Sequence, residues 1–164
     1  MAAEAGSSGG GAERFKAALA GGGWTHDIVI LPDSTRTANE AALAVGCDVA
    51  QIVKSLVFRA TETSRPVLVI ACGANRVDEA AVGALIGEPI GKANANFVRE
   101  NTGYAIGGVP PIGHAVAPVT LIDEDLLTFD TIWAAAGTPN AVFRLTPDDL
   151  RDMTGGQVAA VKQQ

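Results

Sequence analysis

The stretch that decides the fold reads Ile52-Val53-Lys54-Ser55-Leu56-Val57-Phe58, and Pro66-Val67-Leu68-Val69-Ile70-Ala71 follows after a polar turn. Both runs are short, rich in β-branched residues and bounded by turn-forming residues, which predicts two strands. The intervening turn at residues 61–65 is short enough for them to pair, so we predict a β-hairpin over residues 52–71.

Lys54 interrupts the first of these strands with a charge. Since side chains alternate across a strand, Lys54 shares a face with Ile52, Leu56 and Phe58. An ammonium on an apolar face must find a polar pocket, extend to water or lose its proton. The first of these outcomes would make Lys54 a functional residue.

The remaining pattern predicts a mixed α/β fold, in which short helices flank one curved, mostly antiparallel mixed sheet. Residues 1–11 are rich in glycine and serine and predict a flexible tail, and residues 12–164 predict a single domain. Helices are expected at residues 12–20, 38–45, 78–86 and 94–100 and from residue 147, and further strands at residues 24–31, 116–122, 131–135 and 141–145.

Composition narrows the classes of function. Of the 164 residues 48% are hydrophobic and 18% charged, as in globular proteins, and no apolar run is long enough to span a membrane. The amino terminus has no signal-peptide pattern, so a cytoplasmic protein is expected. A net charge of −6 argues against broad phosphate-driven binding of DNA or RNA, but is compatible with contact to one RNA end.

No pattern for a cofactor or a metal is present. There is neither a Gly-x-Gly-x-x-Gly motif after a strand nor a P-loop, and Cys47 and Cys72 are too few and too far apart for a zinc site. We expect two buried thiols, although Cys72 at the end of a strand leaves a cysteine nucleophile open as an alternative.

The segment Gly107-Gly108-Val109-Pro110-Pro111-Ile112-Gly113-His114 is too dense in glycine and proline to form a regular element. It is either a tight turn or a rigid loop that presents backbone N–H groups to a carbonyl or an oxyanion. His114 is either a hydrogen-bonding loop residue or a base. Thr37 has two interpretations as well, as the N-cap of the helix with Glu40 at N3, or as a pocket residue.

Five segments together resemble the YbaK and prolyl-tRNA-synthetase editing-domain family of aminoacyl-tRNA deacylases. They occur in the family's order over about residues 24–155, and they are Thr35-Arg36-Thr37-Ala38, the Lys54 strand, the strand Pro66 to Ala71, the loop at 107–113 and Leu145-Thr146-Pro147-Asp148-Asp149-Leu150.

The resemblance implies that Lys54 is the lysine that activity requires, and that the loop backbone holds the aminoacyl group near its carbonyl. Water would attack the ester with help from a hydroxyl of the terminal adenosine, so no side-chain nucleophile and no cofactor are needed. Some alanine-specific members carry histidine where this chain has Arg144, which implies a different pocket polarity. Asn75 is a further possible pocket residue. The predicted substrate-binding set is Gly107, Gly108, Val109, Pro110, Pro111, Gly113, His114, Thr37 and Arg144.

The function expected from the resemblance is trans-acting deacylation of a small amino acid mischarged on tRNA, with tRNA for proline as the substrate. A chain of 164 residues has no room for a synthetase's catalytic and anticodon domains. The expected partners are the 3′ aminoacyl-adenosine end of tRNA and, more transiently, prolyl-tRNA synthetase or an elongation factor. The alternative is a non-catalytic module of the same fold that binds an aminoacyl group, a small molecule or a protein. The sequence leaves the identity of the amino acid open.

Overall fold

The computed structural model describes residues 8–35 and 37–164, which contain five α-helices and eight β-strands. The helices are α1 (Ser8–Gly21), α2 (Ala38–Val45), α3 (Glu79–Ile86), α4 (Ala95–Thr102) and α5 (Pro147–Thr154). The strands are β1 (Ile28–Ile30), β2 (Val53–Ala60), β3 (Pro66–Cys72), β4 (Ile90–Lys92), β5 (Val119–Asp123), β6 (Ile132–Ala135), β7 (Ala141–Leu145) and β8 (Gln157–Ala159). Short 3-10 helices occupy Val49–Gln51 and Glu124–Thr128.

The strands form two sheets. One has the order β4-β2-β3-β5-β8, in which β2 pairs antiparallel with β3 and β4 whereas β5 pairs parallel with β3 and β8. The other has the order β1-β7-β6 and is antiparallel throughout. The predicted mixed α/β class with mostly antiparallel pairing is confirmed. The single predicted sheet is divided, because β6 does not pair with β2 and meets the chain before it at one bridge, between Ile52 and Trp133.

The predicted hairpin of β2 and β3 is confirmed and forms the centre of the larger sheet. Its register places Lys54 opposite Ala71, and every residue of β3 is buried. Buried Glu88 fixes the turn by accepting hydrogen bonds from the N–H groups of Glu62 and Thr63 and from Arg65 Nε. The turn therefore depends on a carboxylate that lies 23 to 26 residues further along the chain.

The amino-terminal helix begins earlier than expected. Residues 8–11, assigned to the flexible tail on their glycine content, form the first turn of α1, while residues 1–7 of that tail lie outside the described residues. The low helix propensity of glycine is outweighed by tertiary packing. Phe15 and Leu19 are buried, with the Phe15 ring 4.8 Å from that of Phe143, and Gly11 packs against the backbone of Gly137.

The strand expected at residues 24–31 is shorter in the structure, because β7 offers pairing partners only for Ile28–Ile30. Helix ends follow the predicted caps. Thr37 and Thr146 each form a capping box, and Gly46 ends α2 in the left-handed conformation. None of the helices in residues 8–35 and 37–164 has the length and apolar character needed to cross a bilayer.

Candidate active site

A cavity of about 450 Å³ lies where the two sheets separate, a volume within the usual range for small-molecule sites. Strand β4 pairs with β2 from Phe58 to Ala60, and β6 meets the chain at Ile52, the residue before β2. Between these two contacts, no strand in the described part of the chain pairs with the outer edge of β2. The cavity fills this gap and is lined by β2, by β6 and by the loops above them.

The cavity has two walls, because alternate residues of β2 point to opposite faces of the sheet. One wall carries Lys54, and it also contains Leu56, Phe58, Lys92, Trp133, Val142 and Thr37. The other wall carries Ser55, and it also contains Val53, Val57, Val98, Val109 and Ala134, all in or against the main hydrophobic core. A ligand in the cavity would therefore meet a cationic wall on one side and an apolar wall on the other.

Lys54 keeps its ammonium at the cavity by a hydrogen bond to the chain behind it. Lys54 Nζ donates to the carbonyl oxygen of Asn75 at 2.6 Å. The side chain of Asn75 in turn donates from Nδ2 to Asp123 Oδ2 and to Asp125 Oδ2, both at 2.8 Å. Asn75 thus lies behind Lys54 and not among the cavity-lining residues. Lys54 therefore lines the cavity while its Nζ is bound by the chain behind it, and its role toward a substrate stays a prediction.

Two aspartates anchor this support. Asp123 is 1% exposed, and its Oδ2 also accepts the N–H of Cys72 at 3.0 Å. Asp125 forms an ion pair with Lys162 at 3.0 Å. The hydrogen bond from Asn75 and the ion pair with Lys162 hold the pKa of Asp125 below its ordinary value, so this carboxylate stays ionised. The segment that holds Lys54 is therefore fixed from two directions.

The glycine-rich loop contributes Gly107 and Val109 to the cavity. Gly108 lies behind them against the turn before β7, where its carbonyl accepts the N–H of Gly137 at 3.0 Å. A Cβ on Gly108 would stand 2.7 Å from Thr138 Cα, so only glycine permits this approach. The loop is thus held in one position by the 137–140 turn.

The rest of the loop is packed into the protein and does not line the cavity. Pro110 and Pro111 are buried, and Gly113 lies against Tyr104 and Ala18. His114 Nε2 lies 2.7 Å from the carbonyl oxygen of Pro110, so this nitrogen carries the proton and donates. Burial lowers the pKa of His114, although the bond to Pro110 opposes the shift, so a neutral imidazole closes the loop.

Thr37 and Arg144 occupy different places relative to the cavity. Thr37 is both the N-cap of α2 and a cavity-lining residue, so its two predicted roles coincide. Arg144 is exposed on β7 opposite Trp133, just beyond the lining. Of the predicted site, Lys54, Thr37, Gly107 and Val109 reach the cavity, while Gly108, Pro110, Pro111, Gly113, His114 and Arg144 do not. Their roles toward a substrate remain predictions.

Most of the lining residues lie outside the predicted set, and those with polar or aromatic side chains include Ser55, Lys92 and Trp133. The sequence could have indicated Ser55, since this serine is a second polar residue next to Lys54 in an otherwise apolar strand. Its Oγ is buried and has no hydrogen-bond partner in the described part of the chain. Lys92 and Trp133 reach the cavity only through the pairing of β4 and the bridge to Ile52, which no local pattern encodes.

The cysteine alternative gains no support from the geometry. Cys72 is buried outside the cavity lining, and its thiol donates to the carbonyl of Ala50 at 3.0 Å. Burial raises the pKa of Cys72, which disfavours the thiolate that a nucleophile needs. Within residues 8–35 and 37–164, no group of histidine, cysteine, aspartate and glutamate side chains is arranged to hold a metal.

Comparison with known proteins adds to this geometry. Residues 32–153 match the family model described as the aminoacyl-tRNA editing domain. The protein YwhH of Bacillus subtilis (strain 168) is 32% identical over 133 residues, which cover 81% of this chain and 84% of YwhH. EbsC of Enterococcus faecalis (strain ATCC 700802 / V583), named as a proposed Cys-tRNA(Pro)/Cys-tRNA(Cys) deacylase, is 25% identical over 126 residues, 76% of each chain.

Among solved structures, a proposed trans-editing enzyme for prolyl-tRNA synthetase superposes with a TM-score of 0.90. It is 48% identical, and the match covers 94% of this chain and 98% of that one. The family match spans well over half of the chain and includes α2, the Lys54 hairpin and most of the residues around the cavity. The chain belongs to the aminoacyl-tRNA editing domain family.

Proposed function

We propose that this protein hydrolyses the ester that links a mischarged small amino acid to the 3′ end of tRNA, acting in trans on tRNA for proline. The observation that carries the proposal is the cavity between the sheets, with the Lys54 ammonium on one wall and the Gly107 loop at its rim. The solved relative that is itself a proposed trans-editing enzyme for prolyl-tRNA synthetase supports the choice of tRNA.

Hydrolysis of this ester requires no side-chain nucleophile. A water oxygen bonds to the ester carbonyl carbon, the bond from that carbon to the ribose oxygen breaks, and the departing oxygen takes a proton. The carbonyl oxygen gains negative charge on the way, and fixed donors stabilise it best when they need not reorganise. Lys54 Nζ, held by the carbonyl of Asn75, would be a donor of this kind, and the 137–140 turn fixes the loop whose backbone would lie near the ester.

The cationic wall suits the end of a tRNA. Lys54 and Lys92 both line the cavity, so the ribose and phosphate of the terminal nucleotide would lie toward this side. The net charge of −6 predicts weak affinity for the body of the tRNA, because few phosphates would be neutralised by lysine and arginine. A transient complex with prolyl-tRNA synthetase or an elongation factor would supply the missing affinity. Activity on aminoacyl-tRNA implies that the protein acts in the cytoplasm.

The proposal is tested with a panel of tRNA for proline charged with alanine, serine, cysteine, threonine or 2-aminobutyrate. We expect at least one of these esters to be hydrolysed faster than in buffer, and prolyl-tRNA to be spared. If every ester decays at the buffer rate, the deacylase proposal is wrong. Specific binding of a non-hydrolysable aminoacyl-adenosine without turnover would support the binding-module alternative instead.

A thiol-alkylating agent distinguishes a cysteine-dependent hydrolase from the deacylase proposed above. Because Cys72 is buried, we expect turnover to survive treatment that modifies the half-buried Cys47. Loss of turnover in step with modification of Cys72 would favour the cysteine mechanism.

A further inference from the structure

Ser55 is the one polar side chain among the residues of the apolar wall. Its Oγ is buried and has no hydrogen-bond partner in the described part of the chain. A buried hydroxyl without a partner destabilises a protein, and most such groups are satisfied by protein atoms or by water. The Ser55 hydroxyl in the middle of β2 is therefore free to bond with a group that enters the cavity.

The side chains around Ser55 offer its hydroxyl no hydrogen-bond partner. Val53, Val57, Val98 and Val109 line the same side of the cavity, and Ala134 of β6 completes it. None of these side chains can donate or accept a hydrogen bond. A group that enters this wall therefore meets four valines and an alanine, with the serine hydroxyl as the single polar side-chain contact.

The backbone at Ser55 is also open to the cavity. Ala60 donates its N–H to Arg65 on the β3 side, and Thr61 donates to Pro89 on the β4 side. Alternate residues of a strand direct their backbone N–H and C=O groups to the same edge. Ser55 lies six residues before Thr61, so its backbone groups also point toward the β4 side. No described strand pairs there, so a ligand can approach Ser55 along this edge.

We propose that the apolar wall receives the side chain of the aminoacyl group, and that the Ser55 hydroxyl selects a small hydroxyl-bearing side chain, that of serine or threonine, over alanine. This inference rests on the proposed deacylase function and specifies its substrate. A substrate hydroxyl satisfies Ser55 Oγ, whereas alanine leaves it unpaired in an apolar chamber. Ser55 lines the cavity, and its Oγ has no hydrogen bond within the described protein that a turn toward the substrate would break.

A thiol is a weaker partner than a hydroxyl, so cysteine is expected to rank between serine and alanine. The extra methyl of threonine would meet apolar valine side chains on this wall. The order expected for kcat/KM is therefore serine and threonine first, then cysteine, then alanine. This order follows from the chemistry of one side chain and one wall.

The test measures the ratio of kcat/KM for seryl-tRNA to that for alanyl-tRNA, both on tRNA for proline. We expect the ratio to fall about fivefold in Ser55→Ala, the effect of one neutral hydrogen bond, and to persist in Ser55→Thr, which keeps the hydroxyl. Ser64→Ala is the matched control, since Ser64 lies in the β2–β3 turn and bonds to Arg59 away from the cavity. The control should leave the ratio unchanged.

Two outcomes overturn the inference while leaving the deacylase proposal intact. An unchanged ratio in Ser55→Ala, with active enzyme, would show that the hydroxyl does not read the substrate. An equal fall in Ser55→Ala and Ser55→Thr would assign the effect to packing. Absence of turnover on every charged tRNA would instead refute the underlying function. Thermal unfolding checks the fold, and we expect Ser55→Ala to melt no lower than the wild type, because Oγ bonds to nothing within the described protein.

Discussion

Replacement of Asn75 by alanine tests how the protein holds Lys54. Asn75 Nδ2 donates to Asp123 and Asp125 at 2.8 Å in each case, and hydrogen bonds to charged acceptors contribute about 1.5–3 kcal/mol each. The side chain of Asp125 is 33% exposed, so water replaces part of its bond. We therefore expect a loss of about 2–4 kcal/mol in the free energy of unfolding, and of about 5–15 °C in Tm for a domain of this size.

Asn75→Ala should also slow the reaction, because the backbone carbonyl of residue 75 accepts the hydrogen bond from Lys54. Once its side chain is gone, the segment that accepts the hydrogen bond from Lys54 Nζ loses its fixed position. A small displacement of a positioned group lowers turnover steeply, so kcat should fall about 10- to 100-fold, with KM less affected. Urea unfolding measures the stability, and deacylation at temperatures well below the Tm measures the rate.

Asn101→Ala is the matched control, because Asn101 Nδ2 donates only to the carbonyl of Phe97 in its own helix. It should cost less stability and leave kcat near the wild-type value. A double variant, Lys54→Ala with Asn75→Ala, should be no slower than Lys54→Ala alone, since both changes remove the same interaction. Wild-type turnover in Asn75→Ala, or additive losses in the double variant, would refute the reasoning.

Three further predictions concern the loop and the hairpin. Gly108→Ala should destabilise the protein by about 1–3 kcal/mol in urea unfolding, because its Cβ would meet the backbone of Thr138. His114→Gln should flatten the pH dependence of the free energy of unfolding. Burial lowers the pKa of His114, so its contribution to stability is complete above its ordinary pKa of 6.5 and is lost as pH falls through the lower folded value. Glu88→Gln should flatten the acid limb of stability in the same assay. Burial raises the pKa of Glu88, but hydrogen bonds from Thr63 and Glu62 and the charge of Arg65 prevail and lower it. The contribution of Glu88 to stability is therefore present above its ordinary pKa of 4.5 and is lost as pH falls through the lower folded value. A wild-type free energy of unfolding for Gly108→Ala, or unchanged pH profiles of stability for the other two variants, would contradict these assignments.

Local pattern was sufficient for much of the fold. The β2–β3 hairpin follows from two apolar runs and one polar turn, and its register places Lys54 on the face that alternation predicts. Helix starts follow from side chains that satisfy the first backbone N–H groups, as Thr37, Asn94 and Thr146 do. These features depend on residues within a few positions of one another.

Features that depend on distant contacts were not predictable in this way. Strands β4 and β8 are three residues long and exist because neighbouring strands offer edges, so their own sequences carry little signal. The division into two sheets depends on where β6 stops meeting β2. Asn75 illustrates the same limit in the site, because its role behind Lys54 depends on aspartates about 50 residues further along the chain.

The measurement that tests the central claim most directly is the single-turnover rate of deacylation by Lys54→Ala on the best mischarged tRNA. Lys16→Ala, which removes an exposed lysine from α1 outside the cavity lining, is the control of equal charge. If the Lys54 ammonium stabilises the developing charge in this cavity, its loss should slow the reaction about 100-fold with little change in Tm, while the control stays at the wild-type rate. Equal rates for the two variants would contradict the placement of the active site between the sheets.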